Sequence, residues 1–114
     1  MHIKAFFDSD ADGIGDFRGL IGRLDYLQQL GIKGIWLMPV FKSEDRDHGY
    51  AVSDYRAIEA QYGSLADFDE LLRQAHARGI GIVIDYVFNH SAALNPLFVQ
   101  SRSAASNTYR DWYL

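Results

Sequence analysis

Ser64-Leu65-Ala66-Asp67-Phe68-Asp69-Glu70-Leu71-Leu72-Arg73-Gln74-Ala75-His76-Ala77-Arg78-Gly79 runs straight into Ile80-Gly81-Ile82-Val83-Ile84-Asp85-Tyr86-Val87. Leu65, Phe68, Leu71, Leu72 and Ala75 recur at helical spacing, with Ser64 placed to cap the first turn and Asp67 inside it, so a helix is predicted from Ser64 to Arg78. Gly79 is its stop. The apolar run Ile80–Val87 that follows has the continuous character of a strand buried on both faces. Upstream the same unit repeats. Phe17, Leu20, Ile21, Leu24, Leu27 and Leu30 mark one face of a helix closed by Gly31, and Gly34-Ile35-Trp36-Leu37-Met38 reads as another buried strand ended by Pro39. Ile3–Phe7 is a short β-prone run, which makes the order strand, helix, strand, helix, strand. Short alternating units of this kind pair in parallel through right-handed crossovers. A long polar loop is expected after Pro39. A short helix is expected from Asn95-Pro96 to Gln100, with an irregular aromatic cluster beyond it.

The 114 residues, 48% hydrophobic, have the length and composition of one globular unit, with no linker or repeat to divide residues 1–114. A net charge of -4 with eleven scattered Lys and Arg gives no nucleic-acid footprint and no basic membrane patch. Cysteine is absent, which removes disulfides, thiolate metal sites and a cysteine nucleophile together. The N-terminal residues do not read as a signal peptide, and no apolar run reaches the length of a membrane span, so the chain as encoded is expected to stay in the cytoplasm.

Between the first apolar run and the first helix lies Asp8-Ser9-Asp10-Ala11-Asp12-Gly13-Ile14-Gly15-Asp16. Carboxylates at the first, third and fifth positions, a glycine at the sixth, a carbonyl from Ile14 and Asp16 at the ninth follow the first part of an EF-hand loop. Gly19 occupies the twelfth position, where the bidentate glutamate belongs, so the closure is missing. The competing reading is an acidic turn held by Asx hydrogen bonds, with Asp16 as the N-cap of the next helix. In a parallel β/α sheet, ligands gather at the carboxyl ends of the strands. Three clusters fall there: this loop, Asp47-His48-Gly49-Tyr50, and Asp85 with Asn89-His90.

Blocks spread over almost the whole chain resemble the catalytic barrel of the α-amylase family, glycoside hydrolase family 13, in its oligo-1,6-glucosidase and α-glucosidase-like branches. They include Phe7–Asp10 through Gly15-Asp16, Leu24–Leu27, Gly34–Pro39, Asp47–Tyr50, Asp54-Tyr55, Tyr62-Gly63, Asp67-Phe68, Ala75–Gly79, Asp85–His90 and Tyr109–Tyr113. The resemblance implies part of a (β/α)8 TIM barrel: three strands, the two helices between them, and the start of the excursion after the third strand. It implies a structural Ca2+, or Mg2+ in its place, held by Asp8, Asp10, Asp12, Asp16 and the Ile14 carbonyl. Asp47, Tyr50 and His90 would contact the glucose about to be cleaved, Asp85 would brace an arginine, and Asn89 would support it. The implied activity is that of a retaining α-glucoside hydrolase or transglycosidase acting on α-glucans, oligosaccharides or sucrose-like sugars.

Two departures stand out. Ala51 replaces the aspartate usual after Gly-Tyr, and the family's stretch before the first strand is missing. The nucleophile and acid/base come from later strands in this family, so the chain is expected to be an N-terminal fragment, inactive alone, whose open sheet edges invite the rest of the barrel or a second copy. Two other readings are a non-catalytic glycosidase-like scaffold, disfavoured by the missing membrane span and by Asp47, Tyr50 and His90, and a free-standing calcium-binding module, disfavoured by the loop's place in a barrel pattern.

Overall fold

The structure, a computed structural model, describes residues 1–44 and 47–114. Its centre is a parallel pair, β1 (Gly34–Leu37) against β4 (Gly81–Ile84), in the register Gly34↔Gly81 to Leu37↔Ile84. Asp85 adds one more bond through its N–H to the Leu37 carbonyl at 2.8 Å. The helix read between them is α3 (Leu65–Ala77). Ser64 and Asp67 form the reciprocal capping box, and Gly79, at φ +70°, turns the chain into the strand.

The first helix is interrupted. It forms α1 (Phe17–Ile21) and α2 (Leu24–Gln29), separated at Gly22-Arg23. The interruption keeps the apolar stripe aligned, because Phe17, Leu20, Leu24 and Leu27 are all buried. They pack with Ile35, Leu37, Phe68, Leu71, Ala75 and Ile80 into one core between the helices and one face of the sheet. Leu30 leaves that stripe and stays exposed, because α2 ends before it.

Two expectations about the strands fail for identifiable reasons. Ile3–Phe7 is not a strand: Ile3–Ala5 is a single 3₁₀ turn, and only Met1 pairs beside β1, through Trp36 and Met38. The Lys4 and Phe7 carbonyls accept the Gly15 and Asp16 N–H groups instead, so the acidic loop takes the bonds that a strand would need. The two central strands are not buried on both faces. Ile35 and Leu37 face the core, whereas Trp36 and its register partner Val83, 48% and 58% exposed, point the other way, where no described element covers them.

The polar loop after Pro39 contains an antiparallel hairpin, β2 (Phe41–Ser43) with β3 (Val52–Ile58), bulged at successive steps. The run from Ile80 pairs only as far as Ile84, and the last helix, α4 (Pro96–Ser103), extends three residues past the expected Gln100. The molecule is elongated, 56 × 28 × 21 Å, with a radius of gyration of 16.5 Å. A compact chain of this length would have about 13 Å. No helix among the described residues is long and apolar enough to cross a membrane.

Candidate functional site

Side chains alternate along a strand, so Asp85 lies on the same bare face as Val83, at the carboxyl end of β4. Its Oδ2 accepts the Tyr50 hydroxyl at 2.9 Å. That bond first, then desolvation and the carboxylate's charge, hold the Tyr50 phenol above its ordinary pKa. Tyr50 is held at its other end too, because its carbonyl lies 3.1 Å from His90 Nε2. A carbonyl can only accept, so Nε2 carries the hydrogen, and in neutral His90 the remaining Nδ1 is an acceptor. Tyr50, Asp85 and His90 therefore form one connected group.

Asp47 and Asn89 are placed differently. Asp47 opens, with Lys4, Lys42 and Ser43, into a cavity of about 740 Å³, where its buried Oδ1 has no hydrogen-bond partner among the described residues. The positive φ of His48 and Gly49 turns the chain sharply between Asp47 and Tyr50. Asn89 and His90 border a second cavity of about 470 Å³ with Phe98, Trp112 and Tyr113. Tyr55 falls in the Asp54-Tyr55 block of the family resemblance but carries no role in the sequence reading. It sits on β3, and its hydroxyl lies 2.9 Å from the Val87 carbonyl and 2.7 Å from that of His90. Its sequence signals are that block and the alternation Val52-Ser53-Asp54-Tyr55-Arg56-Ala57-Ile58.

In the acidic loop the Asx-turn and capping reading finds its hydrogen bonds, and three of the expected metal-loop carboxylates lie close together. Asp8 Oδ1 accepts from Asp10 and Ala11 N–H groups and Oδ2 from Gly13, while Asp12 Oδ1 accepts from Ile14 at 2.7 Å. These bonds, that from Gly13 foremost, hold the Asp8 carboxyl below its ordinary pKa. Asp16 caps α1 through Gly19 N–H at 2.7 Å and receives the Ser9 N–H and hydroxyl. Burial pushes Asp16 up, but the Ser9 and Gly19 bonds outweigh it and the net shift is downward. The turns also gather charge. Asp8, Asp10 and Asp16 each offer an oxygen within 4.8 Å of the others, and Asp12 stands outside that trio. Such an all-oxygen donor set fits a hard divalent cation.

A parallel pair joined by a crossover helix, with polar groups at its carboxyl end, defines a parallel β/α fold, and similarity to known proteins narrows it to the (β/α)8 barrel of the glycoside hydrolases. The chain belongs to the alpha-amylase family: the family's catalytic domain matches residues 1–114. It is 48% identical over its whole length to an oligo-1,6-glucosidase of Parageobacillus thermoglucosidasius, of which it covers 20%. It is 50% identical over 113 residues, 99% of this chain and 20% of the relative, to an alpha-glucosidase of Pediococcus pentosaceus. Among solved structures, the trehalose-6-phosphate hydrolase of Bacillus licheniformis superposes with a TM-score of 0.98 at 43% identity, over all of this chain and 20% of that one. The chain thus spans about a fifth of the length of these relatives.

Proposed function

We propose that residues 1–114 form the first part of the catalytic barrel of a retaining α-glucoside hydrolase or transglycosidase, contributing one wall of the sugar subsite and the metal loop. The Tyr50–Asp85–His90 group at the carboxyl end of the parallel pair carries the reading. In it the Tyr50 ring stacks on a pyranose face and Asp47 accepts sugar hydroxyls. A hydroxyl meeting His90 either takes over the Nε2–H or donates to Nδ1. Asp85, anchored on β4, steadies Tyr50 and braces an arginine brought by a later strand, and Asn89 supports the same turn. Calcium, or magnesium, held by Asp8, Asp10 and Asp16 with help from Asp12 and the Ile14 carbonyl, would stiffen the passage into α1.

The chain alone is inactive in this reading. Retaining hydrolysis needs a nucleophile and an acid/base about 5 Å apart, and Asp85 is one carboxylate already engaged by Tyr50. Its complement is the rest of a barrel, joined along the strand edges.

The test is an exchange. This chain replaces the corresponding fifth of the Parageobacillus oligo-1,6-glucosidase, and turnover of isomaltose is measured with Asp47→Ala and His90→Ala. Activity that falls at least tenfold in each variant supports the reading, since one charge-assisted hydrogen bond contributes about 1.5–3 kcal/mol. An active exchange protein indifferent to both substitutions refutes it.

A further inference from the structure

We propose that Tyr55 is a positioning residue for the sugar subsite, its hydroxyl clamping the chain at Val87 and His90 so that the His90 ring meets Tyr50. The inference rests on the sugar-site reading and adds a residue to it. Between the Asp85 N–H bond to Leu37 and the Ala92 N–H bond to Val52, no backbone group of residues 86–91 bonds to another backbone group among the described residues. That stretch carries His90 and has no strand or helix to hold it. The Tyr55 hydroxyl supplies the missing anchor. Its single hydrogen is shared between two carbonyl oxygens, at 2.9 Å and 2.7 Å, which fixes both ends of the Val87–His90 segment from one point.

The anchor is itself rigid. The Tyr55 ring stacks on Tyr86, centroids 5.4 Å apart and planes 17° from parallel, and leans on Phe41 at 6.1 Å. A phenol has few torsions to freeze, so the hydroxyl is aimed at little entropic cost. Beyond it the connections run through side chains: His90 Nε2 to the Tyr50 carbonyl, and the Tyr50 hydroxyl to Asp85. Because β3 carries Tyr55 and Asp85 directly follows β4, the hairpin and the parallel pair are joined through the site. Ser91 Oγ, 3.0 Å from the Tyr113 hydroxyl, is a second tether on the far side of His90 and leaves Val87 to Tyr55.

The experiment uses the 114-residue chain, isotope-labelled for NMR, as wild type, Tyr55→Phe, Phe41→Leu and His90→Ala. Tyr55→Phe keeps the stacked ring and removes only the hydroxyl. Order parameters for the 87–90 amides are expected to fall from the rigid range near 0.85 to below about 0.6, with loss of the ring-to-Tyr50 proton contacts of His90, while α3 amides stay unchanged. Phe41→Leu, which loosens the aromatic stack but spares the hydroxyl, keeps the segment ordered. His90→Ala keeps it ordered too, since the clamp grips backbone. An unchanged 87–90 segment in Tyr55→Phe overturns the proposal, as does disorder that spreads equally to α3 or appears equally in His90→Ala. In the exchange enzyme, Tyr55→Phe should lower kcat/KM about fivefold, the rate equivalent of one net hydrogen bond. The NMR arm involves no sugar, so its failure removes the clamp alone, whereas indifference to Asp47→Ala and His90→Ala removes the sugar-site reading and with it the clamp's role in that site, leaving the ordered 87–90 segment as a structural tether.

Discussion

Replacing Asp16 and Asp10 separately by alanine should separate the two tasks of the acidic loop. Asp16 accepts the Gly19 N–H at the start of α1 and both the N–H and the hydroxyl of Ser9. Loss of an N-cap costs about 1 kcal/mol, and loss of the Ser9 bonds to a charged acceptor about 1.5 kcal/mol more, so Asp16→Ala should destabilise the metal-free chain by about 2–3 kcal/mol. Among the described residues Asp10 accepts only the Asp12 N–H, at 3.2 Å, and it is exposed. Asp10→Ala without metal should stay within about 0.5 kcal/mol of wild type, as surface substitutions do. Calcium brings Asp10 into play, while Asp16, a cap and a ligand at once, stays the more costly loss. At a hundredfold excess over its dissociation constant, a bound ion stabilises the folded wild type by about 2.7 kcal/mol, a gain that Asp10→Ala should forfeit. Urea unfolding followed by circular dichroism, in chelator and in calcium, measures all four numbers. Asp10→Ala gaining as much from calcium as wild type would refute the ligand assignment. Metal-free Asp16→Ala as stable as wild type would refute the capping argument.

Gly19→Ala and Gly22→Ala should shift the urea midpoint in opposite directions: a Cβ at 19 overlaps the Phe7 carbonyl and should cost about 3 kcal/mol, whereas at 22 it meets the Arg18 and Gly19 carbonyl oxygens at ordinary contact distances of 3.5 Å and 3.6 Å and should add about 0.5 kcal/mol. The Asp67 carboxyl is lowered to about 2, first by the Ser64 hydroxyl and N–H and then by Arg18, so its contribution to stability should be complete above about pH 4 and disappear as pH falls towards 2. Acid unfolding of Ser64→Ala should show a weakened dependence in that window, and an identical profile would remove the capping box from the account. Assayed alone on maltose, isomaltose, sucrose and an aryl α-glucoside, the chain should release no glucose. Turnover that copurifies with it and vanishes in Asp85→Asn would overturn the argument from missing carboxylates.

The sequence carried the parallel pair and α3 clearly, because apolar spacing, a capping box and a terminal glycine all agree there. Ile3–Phe7 misled for the opposite reason: its β-prone side chains were outcompeted by the Gly15 and Asp16 N–H groups, a contact across the loop that no local pattern announces. The hairpin was hidden by its own irregularity, since bulges break the two-residue period and Tyr55 finds its partners only after the chain has returned as Tyr86 to His90. Tyr50, Asp85 and His90 could be named from the family pattern, yet the bonds joining them could not. They span 35 and 40 residues of chain.

The bare face of the central strands gives the molecule a built-in gauge. Ile35 and Leu37 already have their partners within these 114 residues, so the layer between helices and sheet can consolidate before anything reaches the other side. Trp36, 48% exposed on that other side, is an indole waiting at the spot where a barrel interior closes. Its emission reads water while the face stays open and would move to the blue as apolar strands arrive. Trp112, at 63% exposure in the last turn of the chain, supplies the background to subtract. A single fluorescence change in Trp36 would thus time the closing of the barrel separately from the earlier packing of its outer shell.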